Sequence, residues 1–259
     1  MTIQGALLRA NSFRVLRPVL RRRTWRVESG QAAGLLLRFP QNTDYIRGTS
    51  ELPVQNALAE VLSSGQVFYD VGANVGFFSL IAAKLVGDSG KVFAFEPLSE
   101  NAEAMRRNAR LNGMSNVTVV EAAVGSASGS GELHVTDWDG GSTLIKSALP
   151  HGNSECSRAV KVITLDDFVR ENQVPLPSVI KIDVEGLEAE VLQGALETIS
   201  VSRPTLIYEV DDADEVGLQK RWSELDEYVR GLGFNVEHLQ SSYPEMAWKV
   251  GHSLAVACR

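Results

Sequence analysis

Apolar residues from Val67 to Val71 form an uninterrupted β-branched and aromatic run, which predicts a buried strand. The run breaks at Gly72, and from about Val75 the apolar positions return at helical spacing. Open α/β sheets build nucleotide pockets from a strand, a glycine turn and a helix in this order. Glycine lets the backbone approach a ligand closely, and the first helical turn offers unpaired N–H groups.

The same patterns continue along the chain and predict an α/β fold with a mostly parallel sheet and helices on both faces. A short hairpin over residues 25–39 precedes this sheet, and a final antiparallel pair of strands closes it. The predicted strands lie within residues 91–97, 116–123, 160–164, 179–183, 203–210, 234–239 and 253–258, and the predicted helices within residues 54–62, 100–111, 164–172, 187–199 and 216–232.

An acidic residue closes each of the first two strands. The glycine spacing between them is not that of a dinucleotide loop, and no phosphate-binding Lys-Ser/Thr follows. Asp70 would repel a pyrophosphate but suits a cationic ligand, and Glu96 is placed to accept hydrogen bonds from both hydroxyls of a ribose. Two acids with glycines between them therefore indicate S-adenosylmethionine, which combines a sulfonium, an ammonium and a ribose without phosphate.

Four motifs in this order resemble the FkbM family of S-adenosylmethionine-dependent methyltransferases. They are Asp70-Val-Gly-Ala-Asn-Val-Gly76, Phe95-Glu-Pro97, Thr164-Leu-Asp166 and Lys181-Ile-Asp-Val-Glu-Gly186. The resemblance implies the Rossmann-like class I methyltransferase fold over residues 51–259, with a seven-stranded sheet. Residues 1–50 are expected to form a basic N-terminal segment and a small cap.

The cofactor-binding residues follow from the motifs and from this resemblance. Glu51 matches an acid that the family places before a helix near the mouth of the cofactor pocket, although it could equally compensate the helix dipole. Glu121 and Ala122 are assigned to the adenine edge from their position after the third strand alone. The predicted set is Glu51, Asp70, Gly72, Asn74, Gly76, Glu96, Glu121 and Ala122.

Asp183 and Glu209 are the predicted catalytic residues. Lys181 and Asp183 interrupt an apolar strand, which is costly unless the charges are paired or used, and we expect Lys181 to pair with an acid of a neighbouring strand. Asp183 and Glu209 end strands at the edge where open α/β sheets bind ligands. One of them acts as a general base, both hold a divalent cation such as Mg²⁺, or their role is structural.

Composition and charge narrow the class of protein. The 259 residues carry a net charge of −7, which argues against general nucleic-acid binding. Residues 1–40 hold eight arginines and one glutamate, and this basic amphipathic pattern indicates either contact with an anionic membrane surface or a helix packed on the domain with its arginines in solvent. The two cysteines and four histidines show no metal-ligand spacing, and no apolar stretch is long enough to span a bilayer, so we expect a cytoplasmic protein.

Residues 125–160 are rich in glycine and serine, and we expect an insertion that covers the pocket and has little regular structure apart from short strand candidates over residues 132–136 and 143–146. Candidate substrate-side residues there are Trp138, Asp139, Ser142 and His151, each of which could also be ordinary loop. The resemblance implies O-methylation of a hydroxyl on a sugar, a secondary metabolite or a glycan. The alternatives are a non-catalytic binding module and an NAD-dependent oxidoreductase, although the glycine pattern of the latter and its Tyr-x-x-x-Lys are absent.

Overall fold

The computed structural model describes residues 23–38, 43–135, 142–143, 156–242 and 248–258. A seven-stranded sheet lies at its centre. From one edge to the other, the strands are β12 (Phe234–His238), β13 (Lys249–Ala257), β11 (Thr205–Asp212), β10 (Val179–Ile182), β3 (Val67–Val71), β4 (Lys91–Phe95) and β5 (Val117–Val120).

The strand directions follow the prediction. Strands β11, β10, β3, β4 and β5 are parallel, whereas β13 runs antiparallel to both β11 and β12. The last strand of the chain is therefore inserted between β11 and β12. This order and these directions confirm the predicted α/β fold of a class I methyltransferase.

Helices cover both faces of the sheet, and an apolar cluster fills each interface. On one face, α2 (Leu52–Val61) and α3 (Phe77–Val86) pack with apolar residues of β3, β10, β11 and β13. The other face packs against α5 (Leu165–Asn172), α6 (Glu188–Gln193), α7 (Leu196–Ser202) and α8 (Glu215–Gly231). The remaining described helices are α1 (Thr43–Arg47) and α4 (Ser99–Leu111), and no helix in the described part of the chain is both long and apolar enough to cross a membrane.

The sequence predicts one helix over residues 187–199, but the structure has two helices there, α6 and α7. The carboxylate of Asp166 accepts hydrogen bonds from the backbone N–H groups of Glu197 (3.0 Å) and Thr198 (2.8 Å), so it caps a new helix there. Thr164, two residues earlier, caps α5 by accepting from the N–H of Asp167 at 2.9 Å. The Thr-Leu-Asp motif thus holds two helix starts together.

The predicted N-terminal hairpin consists of β1 (Thr24–Arg26) and β2 (Leu36–Arg38), and its apolar residues join the cluster beneath α2 and α3. Two asparagines, Asn108 in α4 and Asn112 directly after it, bind the backbone of the hairpin. Asn112 Oδ1 accepts from the N–H of Leu36, and Asn108 Oδ1 accepts from that of Arg38, both at 2.8 Å. The proposed boundary between residues 50 and 51 stays a prediction. The arginine-rich residues 1–22 lie outside the described residues.

The insertion holds more regular structure than we expected. A second sheet has the order β6 (Ala123–Val124), β9 (Cys156–Ile163), β7 (Gly129–Val135) and β8 (Ser142–Thr143). Strands β7 and β9 pair antiparallel from Gly129–Val162 to Val135–Cys156, so backbone hydrogen bonds order a glycine- and serine-rich segment that has little apolar surface to bury. Trp138, Asp139, His151 and the side chain of Ser142 lie outside the described residues.

Candidate active site

The candidate site lies where β3, β10 and β11 end, on the face of the sheet that packs against α2 and α3. Asp70 is in register with Lys181, and Glu209 lies opposite His252. Asp183 shares this face with Lys181 because residues two apart on a strand point to the same side. Six residues form what we call the strand-end cluster: Glu51, Asp70, Lys181, Asp183, Glu209 and His252.

The glycine loop after β3 is shaped by neighbouring backbone. Gly72 has a φ of 80°, and a Cβ built on it would lie 1.7 Å from the carbonyl oxygen of Asp183. The residue that follows β10 thus occupies the space on the Cβ side of Gly72, and the contact of this glycine with a cofactor stays a prediction. Gly76 begins α3 with a φ of 88°, and a Cβ there would meet Met105 of α4 at 2.4 Å. Both glycines therefore allow close packing inside the protein.

Glu96 connects the second strand to this loop. Its Oε2 accepts the N–H of Asn74 at 2.9 Å, and its Oε1 accepts the N–H of Leu98 at 2.8 Å. Burial raises the pKa of Glu96 to about 7, against hydrogen bonds that lower it. Each carboxylate oxygen has a second lone pair, so the predicted contact with ribose hydroxyls is compatible with these bonds.

Two buried oxygen atoms beside the loop have no hydrogen-bond partner among the described residues. One is Oδ1 of Asn74, whose φ is 51°, and the other is Oδ1 of Asp70, whose Oδ2 accepts from the hydroxyl of Ser79 at 2.5 Å. Burial raises the pKa of Asp70, while Lys181 and Ser79 act to lower it. Orphaned buried acceptors call for a ligand or water, and next to a carboxylate they fit a cationic group.

Lys181 is the central cation of the strand-end cluster. Its side chain is 3% exposed, and Nζ lies 2.7 Å from Oδ2 of Asp183. Burial alone would lower the pKa of Lys181, but the charges of Asp183, Asp70 and Glu51 outweigh it, so the pKa lies above its usual value. The direct ion pair is thus with an acid at the end of its own strand, not with one on a neighbouring strand as we expected, although Asp70 adds attraction.

The two predicted catalytic carboxylates lie at the same edge but have different partners. Asp183 is paired with Lys181, and its side chain is 24% exposed, whereas Oε2 of Glu209 lies 2.7 Å from Nε2 of His252. Burial raises the pKa of Glu209, with the charge of Asp183 adding to the effect. Lys181 pairs with Oδ2 of Asp183, so a cation held jointly by Asp183 and Glu209 would compete with this ion pair, and that alternative stays a prediction.

Glu51 belongs to this edge as well. It precedes α2 in the left-handed region with a φ of 43°, and its side chain makes no capping hydrogen bond to the helix. Its Oε2 instead lies 3.3 Å from Nε2 of His252. Burial alone would lower the pKa of His252, but Glu209 and Glu51 raise it above its usual value.

Glu121 and Ala122 lie between β5 and β6. Glu121 has a side chain that is 40% exposed and forms an ion pair with Arg106 at 3.2 Å. Hydrogen bonds from Ser99 and Arg106 lower the pKa of its carboxyl. Ala122 is buried. Their assignment to the adenine edge stays a prediction.

Three side chains at this edge were not singled out from the sequence. His252 is a polar residue on the apolar face of the last strand, two positions before Leu254, and this break in the alternation was the available signal. Glu185 has a φ of 52°, and its buried carboxyl is hydrogen-bonded to that of Asp211. Asp211 also accepts from Nε1 of Trp248 at 2.6 Å.

Comparison with known proteins shows the family to which the chain belongs. The family described as "Methyltransferase FkbM domain" matches residues 70–236. The hexuronic acid methyltransferase AglP of Haloferax volcanii is 31% identical over 177 residues, covering 66% of this chain and 69% of the relative. The 31-O-demethyl-FK506 methyltransferase FkbM of Streptomyces tacrolimicus is 28% identical over 202 residues, covering 68% and 75%.

Among solved structures, the methyltransferase FkbM of Methylobacillus flagellatus has the same fold, with a TM-score of 0.50 and 18% identity. The superposition covers 78% of this chain and 50% of that one. The matched family covers the glycine loop, Glu96 and the carboxylates that end β10 and β11. The chain therefore belongs to the FkbM family of S-adenosylmethionine-dependent methyltransferases.

Proposed function

We propose that the protein transfers a methyl group to a hydroxyl group of a sugar or a secondary metabolite. The observation that carries this proposal is the carboxylate of Asp183, which is partly exposed beside the glycine loop and fixed by the buried ammonium of Lys181. The relatives support this acceptor class, since one is named for a hexuronic acid and another for an oxygen atom of a secondary metabolite.

The residues at the glycine loop fit S-adenosylmethionine as the cofactor. The carboxylate of Glu96 is assigned to the ribose, and the orphaned oxygens of Asp70 and Asn74 are assigned to the polar and cationic part of the ligand. When bound, S-adenosylmethionine supplies a methyl group on a sulfonium. The protein must then hold the acceptor oxygen about 3 Å from that carbon and in line with it.

Asp183 is the proposed general base. A carboxylate oxygen of Asp183 would take the proton of the acceptor hydroxyl as that oxygen is methylated, so the methylated product would carry no charge on that oxygen. Lys181 restricts the rotation of that carboxylate, because its Nζ is itself buried and cannot follow a displaced partner. Glu209 remains a predicted catalytic residue at the same edge.

The test uses labelled cofactor, a panel of hydroxylated sugars and metabolites, and two matched variants. Asp183→Asn should lower kcat by about 10²–10⁴-fold with little change in cofactor affinity, because asparagine cannot take the proton. Asp88→Asn, at an exposed aspartate after α3, serves as the control. Full activity in Asp183→Asn would exclude Asp183 as the base, and label found on nitrogen or carboxyl groups would exclude hydroxyl methylation.

A further inference from the structure

We propose that Glu51, Glu209 and His252 bind a divalent transition-metal ion. One oxygen or nitrogen atom from each of these side chains lies within 4.8 Å of the others. The three come from separate parts of the fold: the start of α2, the strand β11 and the last strand, β13. We call this group the Glu–Glu–His triad.

The backbone places the triad without depending on flexible loops. Glu209 and His252 are directly opposed in the antiparallel pair of β11 and β13, so their side chains stand next to each other on one face. Glu51 lies at the first turn of a helix whose residues Val54 and Leu58 are fully buried against that face. Preorganised ligands of this kind bind a metal without a large ordering cost.

The distances match a metal coordination sphere. Nε2 of His252 lies 2.7 Å from Oε2 of Glu209 and 3.3 Å from Oε2 of Glu51. Two ligands bound at right angles with bonds of about 2.1 Å are about 3.0 Å apart. The two measured separations differ from this value by only a few tenths of an ångström, and the ligand atoms of Glu51 and Glu209 lie within 4.8 Å of each other.

The buried position of the His252 side chain is the observation that points to a ligand. The residue is 2% exposed, and its Nε2 faces carboxylate oxygens of both Glu209 (2.7 Å) and Glu51 (3.3 Å). Its Nδ1 has no hydrogen-bond partner among the described residues, and a buried polar atom of this kind calls for water or a ligand nearby. Coordination through Nε2 satisfies one ring nitrogen and also neutralises the two carboxylates beside it.

Lys181 does not neutralise the two carboxylates of the triad. Lys181 is engaged with Asp183 at 2.7 Å and also interacts with the charge of Asp70. The strand-end cluster contains four carboxylates and one lysine, Lys181, while His252 would coordinate a metal in its neutral form. A divalent cation brings the balance at this buried edge closer to neutrality.

The ligand set also selects the class of metal. One imidazole and two carboxylates suit Mn²⁺, Fe²⁺ or Zn²⁺ better than Mg²⁺, which prefers oxygen ligands alone. Three protein ligands leave positions for water or for oxygen atoms of an acceptor. An acceptor bound in this way would lie close to Asp183, and this last consequence rests on the proposed function, whereas metal binding itself does not.

The experiment measures metal binding directly, without cofactor or acceptor. Protein freed of metal by a chelator is titrated with Mn²⁺ by calorimetry, and the bound ion is examined by pulsed electron paramagnetic resonance. We expect one ion per chain and a nitrogen coupling from a coordinated imidazole. His252→Gln should abolish that coupling, and both His252→Gln and Glu209→Gln should weaken binding about 100-fold or more.

Two matched controls change the same residue types outside the triad. His134→Gln in β7 and Glu237→Gln in β12 should bind Mn²⁺ as the wild type does. If His252→Gln fails to fold, Glu51→Gln at the helix start takes its place, since its side chain is 12% exposed and more tolerant of change.

Three results would overturn the metal site. They are no stoichiometric binding by the wild type, binding without an imidazole coupling, and equal affinity in the triad variants and the controls. Methyl transfer by a protein that binds no metal would leave the proposed function standing while excluding this site. The two proposals therefore fail separately.

Discussion

Replacing Glu96 with alanine removes the proposed ribose contact and also the two backbone hydrogen bonds that tie it to the glycine loop. The lost oxygens accept from Asn74 at 2.9 Å and Leu98 at 2.8 Å. A hydrogen bond to a charged group contributes about 1.5–3 kcal/mol. Since about 1.4 kcal/mol corresponds to a factor of ten, we expect the Kd for S-adenosylmethionine to rise about 10–100-fold.

The same carboxyl should make cofactor binding depend on pH. Burial raises the pKa of Glu96 to about 7, and only the ionised form offers all of its oxygen lone pairs to hydrogen-bond donors. Its ionised fraction falls about tenfold between about pH 8 and pH 6, so the Kd of the wild type should rise about tenfold over that range. In Glu96→Ala, the Kd should therefore change less with pH than it does in the wild type.

Stability should change with pH in the opposite sense. A folded-state pKa above the usual value means that Glu96 contributes stability below its ordinary pKa near 4.5 and loses it as the pH rises through about 7. With about 1.4 kcal/mol per pKa unit, the difference reaches about 3 kcal/mol. It should appear in the pH dependence of urea unfolding of the free protein and be missing in Glu96→Ala.

Isothermal calorimetry at about pH 6, 7 and 8, with ionic strength held constant, measures the affinities. Glu103→Gln in α4, whose side chain is 46% exposed, is the control and should change neither affinity nor its pH dependence. A Kd for Glu96→Ala within twofold of the wild type would refute the ribose assignment. Equal pH dependence in wild type and variant would refute the role of the buried carboxyl.

Three further substitutions test buried contacts by chemical denaturation, two at the site and one on the opposite face of the sheet. Gly72→Ala should destabilise the fold by about 2 kcal/mol, because its Cβ would lie 1.7 Å from the carbonyl oxygen of Asp183. Lys181→Met should cost about 3 kcal/mol, since it leaves the carboxylates of the strand-end cluster without their buried cation. Tyr208→Phe should cost about 2 kcal/mol, because it removes a 2.6 Å hydrogen bond to the buried Asp226.

Matched controls separate these effects from general sensitivity to substitution. Gly113→Ala also changes a glycine with positive φ, but a Cβ there meets nothing within 4 Å, so it should cost only about 1 kcal/mol. Exposed Lys91→Met and half-buried Tyr228→Phe should stay within about 0.5 kcal/mol of the wild type. The packing arguments are wrong if each variant is as stable as its control.

The sequence by itself determined the elements that carry the site. The strand predicted over Val67–Val71 has those bounds, and the two acids expected at strand ends, Asp183 and Glu209, lie at one edge of the parallel sheet, although β11 continues past Glu209 to Asp212. These features depend on local patterns: a continuous apolar run, a glycine that stops it, and polar residues where the run ends. Neighbouring residues suffice to specify such patterns, so they are readable without the fold.

The second sheet was predictable only in part, because the sequence indicated strand candidates over residues 132–136, 143–146 and from residue 160 but not their full extent or pairing. Strand β7 (Gly129–Val135) is rich in glycine and polar residues, and its order depends on antiparallel pairing with β9. The division between α6 and α7 likewise depends on a carboxylate about thirty residues earlier, Asp166, that caps the second helix. In both cases a distant partner overrides what the local sequence favours.

Only the tertiary structure decided which side chains of the site contact each other. Lys181 pairs with Asp183, Gly72 is required by the backbone of β10, and Glu209 meets His252 because β13 lies between β11 and β12. These contacts depend on strand register and strand order, which the periodicity of one segment does not encode. Local pattern determined which side chains reach the sheet edge, and the packing of distant segments decided which charges meet there.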